Sequence, residues 1–267
     1  MRIKKEIKIL FSWLLIAAYI FITMSFVNRQ ENKVQCIDID VKVTDTTGNL
    51  FVENKDVLNI LKKSKFDILG YPIKKINTLD IENKIKQYPS IKNAKTYCNY
   101  AGQLSIEIEQ RRPILRIINY NGESYYIDEE GAMMKLSNKY TARVLVANGN
   151  INEPFESRYS VNVANAEKDE FGRGKILNDL YKLALFIDKD DFWKSEIEQI
   201  YINEDNDIVL IPIVGIHKIL FGSIDNYKIK FRNLKAFYKT GITKTGWNKY
   251  SLINLKYENQ IVCTKKE

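Results

Sequence analysis

The chain has 267 residues and a formal net charge of +8, enough for one large domain or two smaller ones with real cores. Its 41 Lys and Arg residues are spread out, with no basic run interleaved with aromatics, so the charge describes a solvated surface rather than a nucleic-acid interface. Cys36, Cys98 and Cys263 are too few and too far apart for a disulfide framework, and with His217 as the one histidine they argue against a His/Cys zinc site. His217 reads as an ordinary strand or turn residue, and whether Cys36 and Cys98 pair is left open.

The N-terminus dominates the organisation. Ile9 to Val27 carries no formal charge; as a helix it is about 29 Å long, matching the ~30 Å hydrocarbon core of a bilayer. Its lipid-facing residues are Ile9, Leu10, Trp13, Leu14, Leu15, Ile16, Tyr19, Ile20, Phe21, Ile22, Phe26 and Val27. Arg2, Lys4, Lys5 and Lys8 precede it with only Glu6 opposing, which holds residues 1–8 in the cytoplasm and sends the rest outward. A cleaved signal peptide is the rival reading, but its apolar region is shorter and followed by small residues, and Thr23 to Arg29 has no such site. An uncleaved single-pass anchor at 9–27 followed by a linker at 28–35 is expected.

Ile37, Ile39, Val41 and Val43 alternate with polar residues as a half-buried strand does, and Thr46-Thr47-Gly48-Asn49 turns the chain. With Asn54 as N-cap, Val57, Leu58 and Leu61 line a short helix ending before Gly70-Tyr71-Pro72. Asn77 with Asp80 resembles a capping box for a second helix, in which Ile81, Ile85 and Tyr88 form a core stripe stopped by Pro89. Strands are expected at Thr96 to Tyr100 and Leu104 to Gln110, around Ala101-Gly102. The order is β-α-α-β-β, with two helices on one face of a three-stranded sheet and an outer edge open to strand addition.

The run Tyr88 to Ala94, the strand Leu104 to Ile108, and Arg111-Arg112-Pro113-Ile114 together resemble the POTRA module of the FtsQ/DivIB cell-division proteins, as does the preceding anchor. That family usually has Glu-Arg-x-Pro where this chain has Gln110-Arg111-Arg112-Pro113. The resemblance places a POTRA domain at 36–113 and an FtsQ-like β domain at 114–267.

In the second domain, Tyr126-Ile127-Asp128-Glu129-Glu130-Gly131 resembles the family's hairpin after the POTRA module. Asn121-Gly122 and strands near Leu115 to Ile118, Tyr125 to Ile127 and Val144 to Val146 suggest a meander. Ile176, Leu180, Leu183 and Ile187 repeat at helical spacing, as do Tyr227, Phe231, Leu234 and Tyr238, and both stripes read as core. Ile200 to Ile202, Ile208 to Ile213 and Lys218 to Phe221 read as strands. The fold class is α+β, with helices packed on a mostly antiparallel sheet.

Leu252 to Tyr257, Glu258-Asn259-Gln260 and Ile261-Val262-Cys263 resemble the last strands of FtsQ-type proteins. The resemblance implies that this terminal edge recruits bitopic partners of FtsB and FtsL type by strand addition, a role carried here to Lys256, Tyr257, Glu258, Asn259 and Gln260. It also implies that the POTRA module meets upstream division proteins, that membrane lipid surrounds the anchor, and that the protein sits at the septum in the inner (plasma) membrane with its domains in the periplasm. No nucleic acid and no cofactor are expected.

Catalysis finds little support. There is no G-x-S-x-G, His217 has no nucleophile motif beside it, and Gly172-Arg173-Gly174-Lys175 fails the phosphate-loop spacing. Asp128 with Glu130 could perform acid/base work on a cell-wall glycan, which keeps a membrane-anchored hydrolase as an alternative. The other alternative is a POTRA protein of secretion or outer-membrane assembly, against which the two helical stripes argue.

Overall fold

The computed structural model describes residues 11–23, 34–44, 48, 51–64, 66, 68–155, 162–165, 175–242, 246–258 and 260–266. Residues 11–23 form helix α1, and its apolar side chains are exposed on every side, from Ile16 at 48% to Phe21 at 78%. Among the described residues no helix is long and apolar enough to cross a membrane. At 1.5 Å per residue α1 covers about 20 Å. Of the span expected from sequence, Ile9, Leu10, Phe26 and Val27 lie outside the described residues, as do 1–8 and 28–33.

The chain divides into two compact units, one comprising Met1–Thr46 with Val52–Gln110 and the other Thr47–Phe51 with Arg111–Glu267. In the first, β1 (Asp38–Thr44), α2 (Asn54–Lys63), α3 (Thr78–Lys86), β2 (Ile91–Cys98) and β3 (Gln103–Gln110) follow one another, and the sheet order is β1-β3-β2. β3 is central, parallel to β1 and antiparallel to β2. Its alternation sends Leu104, Ile106 and Ile108 inward, where with Val41, Ala94, Val57, Leu61, Ile81 and Ile85 they are buried. Gln110, itself buried, accepts the amide of Val52 at 2.9 Å.

Local chemistry adjusts several expected boundaries. The N-cap of α2 is Glu53 rather than Asn54, because the Asp56 carboxylate accepts the Glu53 amide at 2.9 Å and closes a capping box one residue earlier. Asn77 does cap α3, accepting the amide of Asp80 at 3.3 Å. Tyr88 is not core: α3 ends at Lys86, and Tyr88 is 42% exposed beyond it. β2 starts at Ile91 and ends at Cys98, since Asn99 to Gly102 is spent on a turn that Gly102 closes at φ 86°. The three cysteines are free thiols. The turn expected at Thr46 to Asn49 lies outside the described residues apart from Gly48.

The second unit contains β4 (Pro113–Ile118), β5 (Ser124–Asp128), β6 (Met133–Lys135), β7 (Leu145–Gly149), α4 (Lys175–Asp188), α5 (Asp191–Glu196), β8 (Ile197–Ile202), β9 (Ile208–Pro212), β10 (Lys218–Gly222), α6 (Tyr227–Phe237), β11 (Tyr250–Asn254) and β12 (Val262–Lys265). One nine-stranded sheet runs β12-β11-β10-β9-β8-β7-β4-β5-β6. It is mixed but mostly antiparallel; β7 lies parallel to both β4 and β8, and β11 parallel to β10. The expected meander is therefore interrupted after β6, where the chain crosses to the far side of β4. Leu177, Leu180, Leu183 and Ile187 of α4 and Phe231 and Leu234 of α6 share one buried cluster with Leu115, Ile117, Ile200, Leu210, Ile219 and Phe221 of the sheet. α5 is invisible to periodicity at six residues and is fixed by Asp190, whose carboxylate accepts the amides of Phe192 and Trp193.

Candidate functional site

The residues expected to meet a partner occupy the connection between β11 and β12. Lys256 follows the end of β11, Tyr257 and Glu258 make a bend and turn, Gln260 leads toward β12, and Asn259 lies outside the described residues. Tyr257 is 53% exposed. Among the described residues β12 ends the sheet with β11 as its single neighbour, so one row of its backbone donors and acceptors meets no described strand. Lys266 donates its amide to the Lys249 carbonyl at 3.0 Å, so by strand alternation the Lys265 amide points to the open side.

The connection is seated by Lys256. Its ammonium donates to Asp207 Oδ2 at 2.7 Å, its amide to Asn254 Oδ1 at 2.9 Å, and the Asp207 carboxylate raises its pKa. Its stem crosses Gly222, where φ is +75° and an added Cβ would come within 2.7 Å of Lys256 Cγ. Gly222 thus serves both a left-handed backbone and a close approach. Between this connection and the start of α6 lies an open cleft of about 450 Å³, with Ile229, Asn233, Leu255, Tyr257 and Ile261 in its wall. Lys230 closes its floor, donating to the carbonyls of Phe221 at 2.9 Å and Ser223 at 2.7 Å, and burial pushes its pKa down. Sequence reasoning missed Lys230, Asp207 and Gly222, since they sit in α6, the β8–β9 turn and β10 and meet the connection only in the folded unit.

The Arg111-Arg112-Pro113 segment is a clamp. Arg111 reaches the buried Asp128 at 2.8 Å, while Arg112 donates to Glu129 at 2.9 Å and Asp188 at 2.7 Å. The hydrogen bond to Asp188 raises the Arg112 pKa further. Burial works to raise the Asp188 pKa, but the bonds from Arg112 and Lys194 outweigh it and hold the carboxyl below its usual range. Asp128 also accepts the amides of Glu130 at 2.9 Å and Ala132 at 2.7 Å, which closes the β5–β6 hairpin. The carboxylate considered for acid/base work is thus enclosed by hairpin amides and a guanidinium. Among the described residues no group of three or more His, Cys, Asp or Glu side chains could hold a metal ion. Gly172 to Gly174 lie outside the described residues.

His217 is 2% exposed, in an aromatic cluster rather than an open turn. Its Nε2 is 2.9 Å from the Tyr238 hydroxyl and its ring stacks on Trp247, while Nδ1 has no hydrogen-bond partner of ordinary geometry. Burial lowers its pKa against a smaller opposing effect of the Trp247 backbone, and burial pushes the Tyr238 phenol up.

Comparison with protein families gives two adjoining matches. A family model described as FtsQ/DivIB, C-terminal related, matches residues 112–264, and one described as a POTRA-like domain matches residues 34–109. No curated protein matches the chain.

Proposed function

The chain belongs to the FtsQ/DivIB family, and from that premise we propose that it is a membrane-tethered scaffold of the division machinery that captures bitopic partners on its terminal sheet edge. A POTRA-like domain followed by an FtsQ/DivIB-related one points to a cell-division scaffold. The observation that carries the finer reading is β12, an edge strand with one open side beside the exposed Tyr257. A partner strand of FtsB type would gain main-chain hydrogen bonds along Val262–Lys265 and apolar contact with Tyr257, with Lys256, Glu258, Asn259 and Gln260 setting its register. An FtsL-type protein would follow as part of the same partner complex, and the POTRA-like unit would meet upstream division proteins.

Tethering rests on residues 9–27, whose described part, α1, is apolar all round and exposed. Such a helix needs a non-aqueous cover, and the positive residues before it favour a cytoplasmic N-terminus, placing both units in the periplasm. Scaffolding requires no catalysis.

The decisive experiment is co-purification of FtsB- and FtsL-type partners with the tagged chain carrying Lys265→Pro. Proline removes an amide that faces the open side, leaving the β11 ladder intact. Partner capture should be lost while the protein melts normally and stays in the membrane fraction; undiminished capture would refute the edge assignment.

A further inference from the structure

The end of the nine-stranded sheet opposite the β11–β12 connection is built differently. β8, β10 and β11 start there and β9 and β12 finish there, as the pairing directions require. At its tip the β9–β10 turn exposes three aliphatic side chains, Ile213 at 55%, Val214 at 45% and Ile216 at 53%. Exposed apolar residues are common singly; three within four residues at the end of a hairpin are not. Around them stand the exposed lysines Lys218, Lys249, Lys265 and Lys266.

Beside the hairpin is an open cleft of about 710 Å³ whose wall includes Ile213 and Ile197 together with Arg112, Arg143 and Lys194. Arg112 and Lys194 are held by Asp188, and Glu198 also lines the cleft, whereas Arg143 is exposed at its rim. The opposite end carries Glu204, Asp205, Asp207 and Asp225 in its turns. At the tip end Asp188 is taken up by Arg112 and Lys194, and the exposed charges at the starts of β10 and β11 and the end of β12 are lysines.

We propose that this end is a docking face for anionic phospholipid, the hairpin Ile213 to Ile216 entering the headgroup–acyl boundary while the lysines and the Arg143 cleft take headgroup phosphates. The chemistry is that of interfacial anchors, in which a small apolar insertion is held by surrounding cations. The aliphatic tip alone would suit a protein groove equally well; the cationic surround is what selects a lipid surface. This inference uses the tethered reading above, since a tether keeps the membrane at high effective concentration. Weak individual contacts then suffice to set how the unit stands on the membrane.

The test uses the full chain on membranes of phosphatidylcholine alone and of phosphatidylcholine mixed with phosphatidylglycerol. Amide exchange at residues 214–216 should slow by about an order of magnitude on the anionic membrane, and high salt should reverse it. Ile213→Ser with Ile216→Ser should abolish the slowing with no change in melting or in partner capture at β12. Equal exchange on both membranes overturns the proposal. So does equal protection in detergent without lipid, which would mean a protein covers the tip. An alkaline wash separates the two readings: release of the chain refutes the anchor, while exchange on adsorbed protein still reports on the hairpin.

Discussion

Glu196 and His217 place two titratable side chains in the core of the second unit, and their protonation pulls stability in opposite directions. Glu196 is 8% exposed, with one carboxylate oxygen lacking a partner, and burial raises its pKa from 4.5. A folded pKa above the unfolded one means that its contribution is fully present below 4.5 and is lost as pH rises through the folded value. Near neutrality the ion is a liability, so Glu196→Gln should stabilise the unit by about 1 kcal/mol there and make little difference in acid, as thermal melting across pH will read. His217 runs the other way. Its folded pKa lies below 6.5, so the unfolded chain takes up the proton first and stability falls as pH drops from 6.5 through the folded value. His217→Phe should flatten that acid limb while costing stability at neutral pH through the lost Tyr238 contact. A variant with the limb unchanged would remove His217 from the account.

At the scale of elements, the connection that seats Lys256 depends on a residue outside it. Gly222→Ala asks a side chain to adopt φ +75° and to occupy space 2.7 Å from Lys256 Cγ. It should destabilise by about 1 kcal/mol from the backbone alone, and by displacing the lysine it should weaken partner capture beyond that loss. Melting and capture measured together check this; normal capture in a destabilised protein would mean that the Lys256–Asp207 bridge does not shape the site. Elements with strong period were legible in the sequence: the β-α-α-β-β order, the α4 and α6 stripes, and β3. Those missed had no period to show. α5 is six residues long and β6 three. The register of Tyr88 slipped because a helix stripe was extended past its stop. The β4–β7 parallel pairing is a tertiary choice, which local alternation in Leu115 to Ile118 does not encode. For the candidate site the connecting segment could be located from Leu252 to Cys263, whereas its lining could not, because Asp207, Gly222 and Lys230 arrive from the β8–β9 turn, β10 and α6.

For the whole molecule, a scaffold makes a demand that an enzyme does not: function should follow occupancy of surfaces, not the chemistry of any one side chain. Asp128 and Glu130 give the sharpest contrast. Asp128 accepts from Arg111 and two hairpin amides, so Asp128→Asn should cost stability by weakening the charged bond, about 1–3 kcal/mol. Glu130→Gln, two residues on at an exposed turn position, should cost less than Asp128→Asn. In cells depleted of the natural chain, filaments with unfinished septa are expected, and Glu130→Gln should restore division as well as the unsubstituted protein does. On the proposed reading Lys265→Pro should fail to restore it although equally abundant at the membrane, because it removes an open-side amide from the β12 edge. Cell length and septum counts at matched protein levels decide the matter. Restored division by Lys265→Pro would move the essential surface elsewhere on the molecule, and loss of division with Glu130→Gln at normal abundance would revive a catalytic carboxylate.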